Sequence, residues 1–206
     1  MKIVVLDVET TGLYNKKETN LDNQPHIIQF AWIFWEMKDE WEFIEEEVID
    51  VLYKPPIEIP YEVSQIHHIY NVDIKDKWSI WDWLKSIIDK LNEADIIIWH
   101  NIEFDINMIK LEVDRLKMKW ELIDFAPKKV FCTMNNSINY CAIMRKTWTW
   151  FKRPKLQELT KKTLWVYFTW AHNALEDIKW TLKAFLKLHK EWVFILEERE
   201  QLWLFN

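Results

Sequence analysis

Ile3-Val4-Val5-Leu6-Asp7-Val8-Glu9-Thr10-Thr11-Gly12 is the stretch on which the fold turns. Residues 3–8 form a nearly continuous apolar run rich in β-branched side chains. Such a run reads as a strand buried on both faces, the kind that lies inside a sheet with helices on either side. The run ends in carboxylates. Side chains two positions apart on a strand share a face, so Asp7 and Glu9 project together. An Asp-x-Glu pair alone is weak evidence, because it is usually a solvated strand end.

Further strand patterns cover residues 26–35 and 42–51, joined by a polar turn at 38–41. Pro55, Pro56 and Pro60 punctuate the exit. Helix patterns follow at 61–69 and 80–91, then a short apolar strand at 96–99. Asn101 is placed to cap a helix running to 116, with Ile102, Ile106, Ile109, Val113 and Leu116 on its apolar face. A strand at 130–132, helices at 135–141 and 155–163, and a long helix at 173–190 complete the pattern. Three strands, a helix, a strand and then helices predict a mixed α/β sheet.

Two more motifs sit at element boundaries. His100-Asn101-Ile102-Glu103-Phe104-Asp105 follows the strand at 96–99, and His172-Asn173-Ala174-Leu175-Glu176-Asp177 opens the last helix. His172 and Asp177 are five apart, about 140° around a helix, so they converge only if His172 precedes the helix. Asp7, Glu9, Asp105 and Asp177 are oxygen donors suited to hard divalent cations. Four carboxylates in one pocket without metal would repel one another and raise each other's pKa, which argues against a purely structural cluster.

Composition bounds the rest. The 206 residues fit one domain with a short tail, and half of them are hydrophobic. No run of 18 apolar residues implies a membrane helix, and the N-terminus enters a strand pattern with no signal peptide, so a cytoplasmic location is expected. Cys132 and Cys141 lack the partners of a zinc site and read as buried reduced thiols. The net charge of −6 gives no global attraction for nucleic acid. Any phosphate grip must be local, and Lys152, Arg153, Lys155, Lys161 and Lys162 form the basic cluster near a motif. A solvated loop and helix face accounts for that cluster equally well.

Asp-x-Glu-Thr-Thr-Gly, then His-Asn-x-x-Phe-Asp, then His-x-x-x-x-Asp resembles the DEDDh 3′→5′ exonucleases, the family of the proofreading epsilon subunit of bacterial DNA polymerase III. The resemblance runs from about residue 2 to 188. It implies a ribonuclease H-like fold, a five-stranded mixed sheet flanked by helices. It implies two cations, Mg²⁺ or Mn²⁺, one held by Asp7, Glu9 and Asp177, the second by Asp7 with support from Asp105. It makes His172 the general base, and Thr10, Thr11, Gly12 and Leu13 contacts to the terminal nucleotide, although Leu13 equally suits the core. His67 resembles a substrate contact but equally suits helix packing. Asn101 and Phe104 belong to the candidate substrate side, although Phe104 also suits the core. The expected activity is hydrolysis of DNA 3′ ends in proofreading or repair. The alternatives are an RNA-trimming exonuclease and a catalytically silent module that binds a clamp or polymerase.

The chain holds 1 Gly and 15 Trp. Roughly 14 glycines would be usual at this length. Tryptophans stand where glycine belongs: Trp41 in a turn, Trp148 and Trp150 in a polar loop, Trp165 and Trp170 around a short strand-like segment. Trp99 occupies a position where the resemblance implies glycine. This is the pattern that glycine codons read as tryptophan would leave, as when UGA encodes glycine. Trp32, in an apolar strand pattern, reads as genuine. A Trp-rich surface that stacks bases is the competing reading, but it leaves the missing glycines unexplained.

The exonuclease domain is expected at 1–190 and a tail at 191–206. Gln201-Leu202-Trp203-Leu204-Phe205, with glycine at 203, resembles the bacterial sliding-clamp-binding peptide, and Gln201, Leu202, Leu204 and Phe205 would be its contacts. An apolar C-terminus docked on its own domain is the alternative.

Overall fold

The computed structural model describes residues 1–38, 43–119, 122–146, 150–168 and 173–196. The run that opens the chain becomes β1 (Lys2–Thr10). It pairs antiparallel with β2 (Ile27–Met37), which pairs antiparallel with β3 (Phe43–Leu52). Most of the expected 38–41 turn lies outside the described residues. Helices α1 (Tyr61–His67) and α2 (Asn71–Ile74) follow, then a 3₁₀ turn at Ile80–Asp82 and α3 (Leu84–Glu93). β4 (Ile96–Trp99) runs parallel to β1, α4 (Ile102–Lys117) crosses back, and β5 (Val130–Cys132) runs parallel to β4. Single turns α5 (Thr133–Asn136) and α6 (Ile138–Cys141), then α7 (Leu156–Leu164) and α8 (Ala174–Lys190), close the described chain. The five strands lie in the order β3-β2-β1-β4-β5, a mixed sheet with β1 at its centre.

Central position explains the apolar run. Val4, Leu6 and Val8 face one core, with Leu84, Ile88, Ile106 and Ile109 from α3 and α4. Ile3 and Val5 face the other, with Ile178, Phe185 and Leu188 from α8. Asp7 and Glu9 continue the odd-numbered series, so they emerge on the side that α8 covers. The site therefore opens where the apolar series on that side stops.

Local differences from the expected pattern have local causes. The helix at 80–91 begins as a 3₁₀ turn, capped by the Ser79 hydroxyl, which accepts from Trp81 N–H. The helix at 61–69 stops at His67 because His68 turns left-handed, φ 59°. The helix at 135–141 is two single turns split at Ser137. Asn101 occupies the position before α4 but is left-handed, φ 78°, and its side chain makes no capping bond, so the expected cap is corrected. Asn173 does cap: its side chain accepts from Glu176 N–H. Residues 166–168 form no strand.

Core packing extends past 190. Phe194 is buried with its ring centroid 5.0 Å from that of Phe131, and its N–H donates to the Leu188 carbonyl. The clamp-like segment 201–206 lies outside the described residues. Cys132 and Cys141 are buried free thiols. No helix among the described residues is long and apolar enough to cross a membrane.

Two tryptophans hold backbone that glycine prefers. Trp165 and Trp192 have φ 59°, and both indoles are exposed, Trp165 by 91%. An L-residue in this region costs roughly 1–2 kcal/mol. Trp99 is fully buried and its indole nitrogen has no hydrogen-bond partner among the described residues. Gly12, by contrast, needs no special φ, and a Cβ there would meet Pro25 at an ordinary 3.9 Å.

Candidate active site

Carboxylate oxygens of Asp7, Glu9 and Asp177 lie within 4.8 Å of one another. Three elements create this convergence. β1 supplies two residues from one face. α8 packs on that face and presents Asp177 one turn from its N-terminus, where Asp177 N–H donates to the Asn173 carbonyl at 2.9 Å. The start of α8 is tied to the sheet by Gln29 on β2, opposite Glu9 in register. Its amide oxygen accepts from Ala174 N–H at 3.3 Å, and its amide nitrogen donates to Asp50 at 2.7 Å.

Asp105 arrives from α4 on the other side of β1. β1 pairs with β4 only through Val5, opposite Ile98, and then runs beyond it. The exposed edge is taken over by Asp105, whose Oδ1 accepts from Val8 N–H at 3.2 Å. Asp105 is buried and stands outside the three-residue cluster.

The electrostatics record the crowding. Burial, then Asp105, Asp177 and Glu9, push the Asp7 carboxyl well above the usual carboxylate range. Burial and Asp177 push Glu9 from 4.5 up to about 8. Burial raises Asp105 as well, against the opposing backbone hydrogen bond from Val8. A set of oxygen donors that resist ionising together is the expected state of a hard-cation site without its cations.

These residues floor a cleft of about 530 Å³, within the range of small-molecule sites. Asn101 and Phe104 line it, and Phe104 is also half-buried against the core. Leu13 is 84% exposed and is not a core residue. Thr10 and Thr11 are buried with their hydroxyls engaged inside the loop. Thr10 donates to the Gly12 carbonyl at 2.7 Å, and Thr11 accepts from His26 N–H at 2.9 Å. His67 is buried, does not line the cleft, and its Nδ1 accepts from Ile69 N–H at 3.0 Å. His172 lies outside the described residues; α8 begins two positions after it.

Several supporting residues escaped the sequence reading. Gln29 had a signal, as a polar residue inside an apolar strand. His100 heads the second motif; its ring spans Thr133 Oγ1 at 3.0 Å and the Pro154 carbonyl at 3.1 Å. Burial lowers its pKa to about 4, opposed by the Pro154 bond, so the ring is neutral. Glu112, fully buried on α4, accepts from Ile27 N–H and the Trp81 indole and pairs with Arg115 at 2.9 Å. Burial pushes its carboxyl up, but the His26 hydrogen bond and the Arg115 charge outweigh this and leave it below its usual value. Arg115 also donates to the carbonyls of Leu21, Gln24 and Pro25. The loop after Gly12 is thereby pinned to the helix that carries Asp105.

The family model described as exonuclease, of the RNase T type, matches residues 4–185. The chain belongs to the DEDDh 3′→5′ exonuclease family. As a member it is a hydrolase, and the family uses divalent metal ions. No curated protein sequence matches it. Among solved structures it is similar to exonuclease X in complex with 5′-overhanging duplex DNA, at TM-score 0.59 and 18% identity, covering 94% of each chain. E. coli exonuclease I with a dA16 oligonucleotide gives TM-score 0.68 at 16% identity, over 92% of this chain and 41% of that one. The nuclease domain of 3′hExo, a DEDDh family member bound to rAMP, gives 0.67 at 15%, over 92% of each. At these identities the likeness is one of fold. The exonuclease chain spans less than half the length of exonuclease I.

Proposed function

We propose that this exonuclease removes nucleotides from the 3′ ends of DNA, using two Mg²⁺ or Mn²⁺ ions, in replication proofreading or repair. The observation that carries the reading is the convergence of Asp7, Glu9 and Asp177, with Asp105 beside them, on the floor of a nucleotide-sized cleft. The donor set fits the cations: among the described residues the converging atoms are carboxylate oxygens. Asp7, Glu9 and Asp177 would hold one ion, and Asp7 the other, with Asp105 in support. When bound, the ions supply activation of water and neutralisation of charge at the attacked phosphate.

The residues of the chain do the rest. His172 takes a proton from the attacking water, as an imidazole of near-neutral pKa suits. The water oxygen bonds to phosphorus, and the bond to the 3′ oxygen of the preceding nucleotide breaks with its electron pair going to that oxygen. That oxygen takes a proton from solvent to become the new 3′ hydroxyl, and a nucleoside 5′-monophosphate leaves. Exposed Leu13 wedges against the terminal base. Thr10, Thr11 and Gly12 shape the loop that presents it. Asn101 and Phe104 bound the nucleotide from the α4 side.

The test compares end-labelled DNA and RNA oligonucleotides of one sequence, with Mg²⁺, Mn²⁺ or chelator. Faster release of mononucleotides from DNA supports the reading. Faster release from RNA would favour the RNA-trimming alternative, for which a similar structure of a 3′-exonuclease recognising a histone mRNA stem-loop speaks. No turnover of either, with bound cations demonstrated, would leave a silent binding module.

We further propose a cytoplasmic location and a tail beyond the nuclease domain that docks on the sliding clamp beside a polymerase. A peptide of residues 196–206 with Trp203→Gly should bind clamp, and Gln201→Ala with Phe205→Ala should abolish this. Most of the tryptophans read as glycine in the native protein. Left-handed Trp165 and Trp192 and the unsatisfied indole of Trp99 support that reading. UGG codons at these positions would end it.

A further inference from the structure

The basic cluster after the 143–152 segment divides into cations with different surroundings. Lys152 is paired with Glu158. Lys162 reaches the Cys141 carbonyl at 3.4 Å and lies over the Tyr140 ring. Lys161 does not line the cleft. Arg153 and Lys155, by contrast, are exposed and line the same cleft as the four carboxylates. Neither forms an ion pair with another described residue. Glu103, the acid that feels Arg153, is already bonded to Lys16 at 2.6 Å.

The segment carrying them is anchored. Pro154, between the two cations, is buried, and its carbonyl meets the His100 ring at 3.1 Å. His100 reaches Thr133, whose hydroxyl donates to the Trp99 carbonyl at 3.0 Å. Lys152 N–H donates to the Ile143 carbonyl at 2.8 Å. Two cations are thus held at one wall of a cleft whose floor is acidic, on a protein of net charge −6.

We propose that Arg153 and Lys155 form a subsite for the phosphates of the strand immediately 5′ of the scissile linkage. The inference rests on the exonuclease reading. Cations on the carboxylates would neutralise only the attacked phosphate. The next phosphates leave that centre and meet a negatively charged protein unless a local positive wall receives them. Arg153 offers a planar fork that matches phosphate oxygens, and Lys155 a compact point charge. The contacts are to backbone, so the subsite is indifferent to base sequence.

The experiment uses the Arg153→Ala/Lys155→Ala double variant of the full chain. Both side chains are exposed, so its melting temperature should match wild type. Binding of a fluorescent single-stranded DNA 10-mer is followed with Ca²⁺ in place of Mg²⁺, across a salt series. Affinity should fall about 10-fold or more, and the slope of log K against log salt should become shallower by about 0.7 for each phosphate that is no longer neutralised. With Mg²⁺, KM for the oligonucleotide should rise similarly. Hydrolysis of the p-nitrophenyl ester of thymidine 5′-monophosphate, which has no neighbouring phosphate, should stay within about 2-fold of wild type. Arg153→Lys should retain most affinity. Unchanged affinity and slope would overturn the subsite, as would equal losses on the oligonucleotide and the mononucleotide ester. If wild type hydrolyses neither substrate while the variant still loses affinity and slope, the catalytic reading fails and the phosphate wall stands.

Discussion

Glu9→Gln should abolish hydrolysis yet stabilise the metal-free protein, and the stabilisation should grow with pH. Burial and Asp177 hold the Glu9 carboxyl near 8, against 4.5 ordinarily. Because the folded pKa lies above the unfolded one, the stability that protonated Glu9 contributes is complete below about pH 4.5. It is lost as pH rises through about 8. One unit corresponds to 1.36 kcal/mol, so the full displacement sets a ceiling of about 5 kcal/mol. Water entry and adjustment of the neighbouring acids reduce this to about 2 kcal/mol at pH 8.5, or roughly 4–8 °C for a chain of this size. Glutamine keeps the shape without the charge. Thermal melts in EDTA should find the two proteins alike at pH 5 and separated in favour of the variant at pH 8.5. Millimolar Mg²⁺ or Mn²⁺ should then raise the wild type and act far less on the variant, because only a protein that binds the ion gains from it. A pH-independent gap between the two, or equal stabilisation of both by metal, would refute the picture of repelling carboxylates awaiting cations.

His172→Ala should lower kcat by about 10²–10⁴ at pH 8, measured on an end-labelled oligonucleotide, and flatten the acid limb of the pH–rate profile. Trp165→Gly and Trp192→Gly should each raise stability by about 1 kcal/mol in denaturant titrations, since both relieve left-handed backbone at exposed positions; a loss at both sites would count against glycine there. Glu112→Gln should cost about 3–5 kcal/mol by chemical unfolding, because it leaves the buried Arg115 guanidinium short of its counter-charge. A loss under 1 kcal/mol would show that the pair does not hold the loop to α4.

Much of the fold was legible because periodicity carries it. The nearly continuous apolar run at residues 3–8 demanded burial on both faces, and β1 is the central strand. The apolar face of α4 follows the expected 3.6-residue spacing. The end of α1 was less legible, because His68 turns left-handed; α4 starts where expected, but left-handed Asn101 makes no capping bond. On the substrate side, what the side chains bond to was not legible. The Thr10 and Thr11 hydroxyls are engaged by backbone groups of Gly12 and His26, and His67 is turned into a backbone bond, none of which spacing can reveal.

By itself the sequence determined the candidate donors: four carboxylates in a fixed order, two of them on one face by strand period, and a family resemblance that implies their use. Tertiary structure alone decided what meets them. α8 covers the odd-numbered face of β1, so Asp177 joins Asp7 and Glu9. β4 stops short of the end of β1, so Asp105, 97 residues away, takes the free Val8 N–H. His100 anchors the segment on which Arg153 and Lys155, of five cations, reach the cleft. Local periodicity states which side chains share a face. Which element packs on that face depends on contacts between residues far apart in the chain, and these exist only once the sheet is assembled.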